Sequence, residues 1–76
     1  MKEEVKKIRM LSTLYLAKLD EMEIFDNKKK LLSEEHKYEN AARARDNWWK
    51  AKRESETILE ELKEETAFLI EKAVES

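Results

Sequence analysis

Apolar residues recur at helical spacing through the first third of the chain. The repeating positions are Val5, Ile8, Leu11, Tyr15, Leu19 and Met22. Intervals of three and four residues place side chains on one face of an α-helix. Further apolar residues widen this stripe: Leu14, Leu16, Ile24 and Phe25. A stripe of this width predicts a helix that packs against more than one neighbour.

A second helical pattern runs from residue 40 to about residue 74. Its positions alternate intervals of three and four: Ala41, Ala44, Trp48, Ala51, Ser55, Ile58 and Leu62. This heptad pattern is typical of paired helices. After Leu62 the expected inner positions shift to Thr66, Leu69 and Ala73. The segment therefore predicts one long helix that packs along an apolar seam.

The polar stretch 33–39 separates the two patterns and is the expected place of the chain reversal. We predict an all-α antiparallel helical hairpin, with helix 1 over about 3–35, a turn over about 35–40 and helix 2 over about 40–74. Asp26 and Asn27 leave an alternative open. They suit a helix N-cap, which favours a kink or break there, whereas an ion pair from Asp26 to Lys30 favours one continuous helix.

Composition agrees with a single helical domain over residues 1–76. Charged residues make up 45% of the chain and hydrophobic residues 41%, and glycine, proline and cysteine are absent. Dense charge without helix breakers favours long helices. The uncharged run 10–17 is too short to span a membrane. Acidic residues at positions 3 and 4 argue against a signal peptide. We therefore expect a cytoplasmic protein without membrane contact.

Net charge changes sign along the chain in a way that favours folding back at the middle. Residues 1–19 carry net charge +3 and residues 57–75 carry −4, whereas residues 20–35 carry −3 and residues 41–56 carry +2. An antiparallel hairpin brings opposite signs together in both halves.

The adjacent tryptophans, Trp48 and Trp49, predict that the hairpin has a partner. Neighbouring residues on a helix point about 100° apart, so the two indoles cannot both face one seam. We expect Trp48 inside, on the heptad seam, and Trp49 toward a second surface. A hairpin of this size also has a limited core. Self-association into a homodimeric four-helix bundle is the simplest source of that second surface.

The sequence contains no pattern typical of an enzyme or a metal site. His36 is the only histidine, and without glycine the chain has no phosphate-binding loop. The acidic group 60–65 is interpreted as a solvated or salt-bridged helix face. We expect neither catalysis nor a cofactor.

Most candidate interaction residues lie in the segment 43–53. The residues chosen for an interaction surface are Tyr38, Arg43, Arg45, Trp48, Trp49, Lys52 and Arg53. Exposed tryptophan and arginine are typical of protein-binding hot spots. This favours an adaptor or regulatory subunit that binds another protein. The alternative is a nucleic-acid-binding accessory protein, because basic residues interleaved with aromatics also bind phosphates and stack on bases.

Residues 38–46 resemble the second half of the UVR motif. The usual form is an aromatic residue, Glu, any residue, Ala-Ala, two variable residues and Arg-Asp. The matching positions are Tyr38, Glu39, Ala41, Ala42, Arg45 and Asp46. Ala44 and Trp48 depart from the usual leucine and aliphatic residue, and the upstream half of the motif matches poorly.

The UVR motif occurs in the B and C subunits of bacterial excision nuclease and in adaptors and chaperones of the Clp protease system. In that family it forms a short helical hairpin that associates with another hairpin. The resemblance implies a role in protein–protein contact rather than catalysis.

Overall fold

The computed structural model describes residues 2–75 and consists of two antiparallel helices. Helix α1 is Lys2–Glu34 and helix α2 is Tyr38–Glu75. The hairpin is long and narrow, with dimensions of 60 × 14 × 13 Å. No strand occurs within residues 2–75. The predicted all-α antiparallel hairpin is therefore confirmed.

Helix α1 is continuous through residues 26 and 27. The Asp26 carboxylate lies 3.1 Å from the Lys30 ammonium, one helical turn further on. An ion pair at this spacing supports an uninterrupted helix. Of the two alternatives left open by the sequence, the helix adopts the unbroken one.

The turn between the helices is closed by backbone hydrogen bonds around His36. The Lys37 N–H donates to the Leu32 carbonyl at 2.8 Å, and the His36 N–H donates to the Ser33 carbonyl at 3.1 Å. His36 adopts a positive φ of 61°. These are the features of a Schellman motif, in which glycine usually occupies the left-handed position. A histidine there carries a steric cost that glycine would avoid.

Helix α2 begins earlier than its apolar pattern indicated. The Ala41 N–H donates to the Lys37 carbonyl at 2.9 Å, so the hydrogen-bonded ladder starts at Lys37. Tyr38 and Glu39, which the sequence placed in the turn, belong to the first turn of α2. The Tyr38 hydroxyl lies 2.8 Å from His36 Nδ1. This contact joins the turn to the start of α2.

Small side chains form the closest part of the helix–helix contact. The buried hydrophobic residues are Leu11, Ala41, Ala44 and Ala51, and Ser55 is the buried polar residue. Small residues let two helix backbones approach closely. The Ser55 hydroxyl donates to the Lys52 carbonyl at 2.7 Å, so its burial leaves no unpaired hydroxyl.

Two polar residues occupy seam positions that the apolar pattern assigned elsewhere. Lys18 is half-buried, whereas the neighbouring Leu19 is 38% exposed. Likewise Glu65 is half-buried and Thr66 is exposed, so the shift expected after Leu62 does not occur. The reason is electrostatic, because each polar residue finds an oppositely charged partner on the other helix.

Ion pairs connect the helices along their length, and three of those within residues 2–75 have distances below 3 Å. Lys7 Nζ lies 2.8 Å from Glu65 Oε1, and Lys18 Nζ lies 2.6 Å from Glu54 Oε2. At the open end of the hairpin, where the first turns of α1 meet the last turns of α2, Lys72 Nζ lies 2.7 Å from Glu4 Oε1. The Lys7 and Lys18 pairs join a basic residue of the first half to an acidic residue of the second half.

Candidate protein-interaction surface

The two tryptophans form a compact aromatic pair on α2. Their rings meet edge to face, with centroids 4.9 Å apart and an interplanar angle of 88°. This is a favourable geometry for two aromatic rings. Lys52 Nζ lies 5.5 Å from the Trp48 centroid and 5.1 Å from the Trp49 centroid. The ammonium therefore makes a cation–π contact with both indoles.

The tryptophan pair lines a groove between the helices. Its lining residues are Asp26, Lys29, Arg45, Trp48 and Trp49, and its volume is about 350 Å³. Trp48 is half-buried rather than enclosed, and Trp49 is 47% exposed. The expectation that Trp48 lies inside is therefore met only in part. Trp48 is neither enclosed nor fully exposed, and it forms part of the wall of the groove.

Four of the predicted residues form one compact surface, whereas Arg43 and Arg53 lie away from it. Arg45, Trp48, Trp49 and Lys52 are spaced by three, four and seven residues, which places them on one side of α2. We call these four the tryptophan cluster. Arg43 instead lines a second groove, together with Lys28 and Asn47.

The remaining basic residues of the segment 43–53 lie away from the tryptophan cluster. Lys50 lines a groove that also contains the acidic residues Glu21 and Glu54. The pKa of the Glu54 carboxyl is lowered, mainly by the hydrogen bond from Lys18 and in smaller part by the charges of Lys50 and Arg53. The basic segment is therefore not one continuous surface, because part of its charge is directed at an acidic side chain of the protein itself.

Tyr38 occupies the turn end of the hairpin. Its side chain is 64% exposed, and its ring meets the His36 ring edge to face at 5.8 Å. Tyr38 lies on the same side of α2 as Arg45 and Lys52, because the three residues are spaced at intervals of seven. It therefore extends the side of α2 that carries the tryptophan cluster.

The residues of the UVR resemblance form the first turns of α2. Ala41 is buried in the helix contact, as is Ala44, which stands where the family usually has leucine. Arg45 Nε lies 3.8 Å from Asp46 Oδ1 on the outer surface. Relationship to the UVR family stays a prediction.

Two residues of the tryptophan groove come from α1 and were not predicted as part of the site. Asp26 and Lys29 lie across from the indoles. The antiparallel arrangement brings them there, so their role depends on the helix register. The signal available in the sequence was the sign change of net charge, which predicts the folding back but not which individual residues meet.

No family model matches the chain, and neither a curated protein nor a solved structure matches it. Neither helix within residues 2–75 has a segment long and apolar enough to cross a membrane. Across the same part of the chain, no group of three or more histidine or carboxylate side chains is gathered in a metal-binding arrangement.

Proposed function

We propose that this protein is a non-enzymatic protein–protein interaction module, a cytoplasmic adaptor or regulatory subunit that works as an assembly of helical hairpins. The observation that carries the proposal is the exposed Trp49 ring, held by Trp48 and Lys52 at the mouth of a groove. A preordered aromatic ring next to basic side chains has the composition of a binding hot spot.

Incomplete burial in the single hairpin supports self-association. None of the large side chains of residues 2–75 is fully buried. Twelve large hydrophobic side chains of this region are exposed, among them Leu16, Ile24 and Ile70. Exposed apolar surface of this extent is typical of interaction sites. A second hairpin would cover part of it, and the UVR resemblance implies the same kind of pairing.

The tryptophan cluster also keeps nucleic-acid binding as a second candidate function. Arg45 and Lys52 flank an exposed indole, which is the combination that contacts phosphates and stacks on unpaired bases. Arg43 and Lys50 line two other grooves. This division favours the protein-binding proposal, because a nucleic-acid strand needs a continuous basic track.

Sedimentation velocity over a range of micromolar concentrations tests the proposal. We expect a dimer or larger species whose share rises with concentration, and a melting temperature that rises with it. A folded monomer at every concentration would overturn the proposed self-association. Titration with single-stranded DNA and RNA at low salt provides the second arm. Binding that weakens steeply with salt and requires Arg45 would favour the nucleic-acid function instead.

A further inference from the structure

The hairpin has two broad faces, one on each side of the plane that contains both helix axes. One face carries the tryptophan groove, lined by residues that include Asp26 and Trp49. The opposite face carries the grooves lined by Glu54 and by Phe68. We call them the tryptophan face and the phenylalanine face. Residues seven positions apart continue each face along the helices.

Eleven of the twelve exposed large hydrophobic side chains of residues 2–75 are divided almost evenly between these two faces, and the twelfth is Val74. The exposed apolar residues at heptad positions of the tryptophan face are Val5, Leu16, Leu19, Tyr38, Trp49 and Ile70. The exposed apolar residues at heptad positions of the phenylalanine face are Met10, Leu14, Ile24, Leu31 and Phe68. The hairpin therefore has two apolar surfaces that a partner can cover, rather than the single one of a simple amphipathic hairpin.

The two faces carry opposite charge at the open end of the hairpin, where the first turns of α1 meet the last turns of α2. There the tryptophan face has three basic residues and no acidic one: Lys2, Arg9 and Lys63. Lys2 and Arg9 line a groove around Val5. The phenylalanine face has five exposed acidic residues at the same level: Glu3, Glu61, Glu64, Glu71 and Glu75. Its groove is also lined by Lys7 and by Lys6, which lies at the edge between the faces because it lines the groove around Val5 as well.

Lys7 does little to offset the acidic charge of the phenylalanine face. Its ammonium lies 2.8 Å from Glu65, a half-buried seam residue, and 3.9 Å from Glu61. Its charge is thus balanced within the hairpin. The groove beside it has apolar walls from Met10 and Phe68. An apolar groove with an acidic margin fits a partner surface that is apolar with a basic margin.

We infer that a second copy of this chain packs front to back, with the tryptophan face of one hairpin on the phenylalanine face of the next and both open ends at the same level. The inference rests on the proposed self-association and specifies its geometry. Packing two tryptophan faces with the open ends together would bring basic groups against basic groups, and two phenylalanine faces would bring acidic against acidic. Like charges brought together in this way are unfavourable.

Front-to-back packing has a consequence for assembly size. Each contact uses different surfaces on the two copies, so it is heterologous and leaves one free face at each end. Further copies add to those faces. Assembly therefore continues beyond the dimer as concentration rises, whereas a contact that uses the same face on both copies stops at two chains.

Two charge-reversal variants test the geometry. Lys2→Glu/Arg9→Glu makes the open end acidic on both faces. Glu3→Lys/Glu64→Lys removes most of the acidic charge from the phenylalanine face. All four residues are exposed, and circular dichroism checks that the helices remain. At low salt we expect the association constant of each variant alone to be lower than that of the wild type by a factor of about ten or more. Their equimolar mixture should recover association, because each supplies the face that the other has lost.

The outcomes separate the geometry from the proposed function. A wild type that grows beyond a dimer, with both variants impaired and the mixture restored, supports the front-to-back contact. If one variant associates like the wild type and the other does not, the same face is used twice and the inference is wrong, while self-association stands. A wild type that remains monomeric overturns both.

Discussion

Lys18 and Glu54 join the two helices near the middle of the hairpin, with 2.6 Å between Nζ and Oε2. Lys18 stands in the seam, and its side chain is 23% exposed. The hydrogen bond to Glu54 is the main cause that raises the pKa of Lys18, and the same bond is the main cause that lowers the pKa of Glu54. Both changes favour the charged pair, so the two groups stay ionised together over a wider pH range than they would apart.

The acidic members of the cross-helix pairs predict loss of stability in acid. The hydrogen bond from Lys72 is the largest cause that lowers the pKa of Glu4 from 4.5 to about 2. Because the folded value lies below the unfolded one, the contribution of Glu4 is present above pH 4.5 and is lost as the pH falls to about 2. Glu54 adds to the effect in the same direction. The melting temperature, measured by circular dichroism across this window, should decrease as the pH is lowered.

Glu4→Gln is the control for the acid effect. The glutamine does not titrate, so the variant should be less stable than the wild type at neutral pH and should lose less stability on acidification. An unchanged slope in the variant would show that other carboxylates are responsible.

His36, the left-handed residue of the turn, is a position where substitution by glycine should stabilise the protein. His36→Gly removes the steric cost of a side chain at φ 61° and should raise the free energy of unfolding by about 1 kcal/mol, although the greater chain entropy of glycine offsets part of the gain. Urea unfolding measures the difference. Glu34→Gly provides the comparison, because Glu34 is the last residue of α1 and glycine should destabilise it. A destabilised His36→Gly would mean that the Tyr38 contact outweighs the strain.

Close approach of the helices predicts sensitivity to volume at the buried alanines. Ala44→Leu inserts three carbon atoms where the side chain is only 3% exposed and should cost about 1–3 kcal/mol of unfolding free energy. Ala67→Leu at an exposed position of the same helix is the matched control and should change stability by less than about 0.5 kcal/mol. Equal effects of the two changes would contradict the seam as described.

The two tryptophans predict separable effects. Trp48→Ala removes a half-buried ring and should lower the free energy of unfolding by about 2 kcal/mol, less than a fully buried indole would cost. Trp49→Ala should leave the helical content of the dilute protein unchanged and weaken its association. Circular dichroism and sedimentation measure the two quantities. The reverse pattern would place Trp49 rather than Trp48 in the seam.

The heptad pattern of small residues made most of the fold predictable. Ala41, Ala44 and Ala51 identify the seam of α2 by spacing alone, and two long breaker-free patterns around one polar stretch leave a hairpin as the simple topology. The turn was harder to place, because its left-handed residue is a histidine and no glycine marks it. Lys18 and Glu65 were missed as seam residues, since an apolar pattern cannot indicate a position held by a salt bridge.

Charged residues within the seam also limit how the helices can slide past each other. A displacement of α2 by one heptad would keep small and apolar residues facing α1 but would separate Lys18 from Glu54 and Glu65 from Lys7. Lys18 and Glu65, whose side chains are each 23% exposed, would then lie half-buried away from these partners, which is costlier than an apolar mismatch. An alanine-rich seam is permissive by itself, because small side chains fit many alignments. The polar pairs supply the discrimination that makes one alignment the native one.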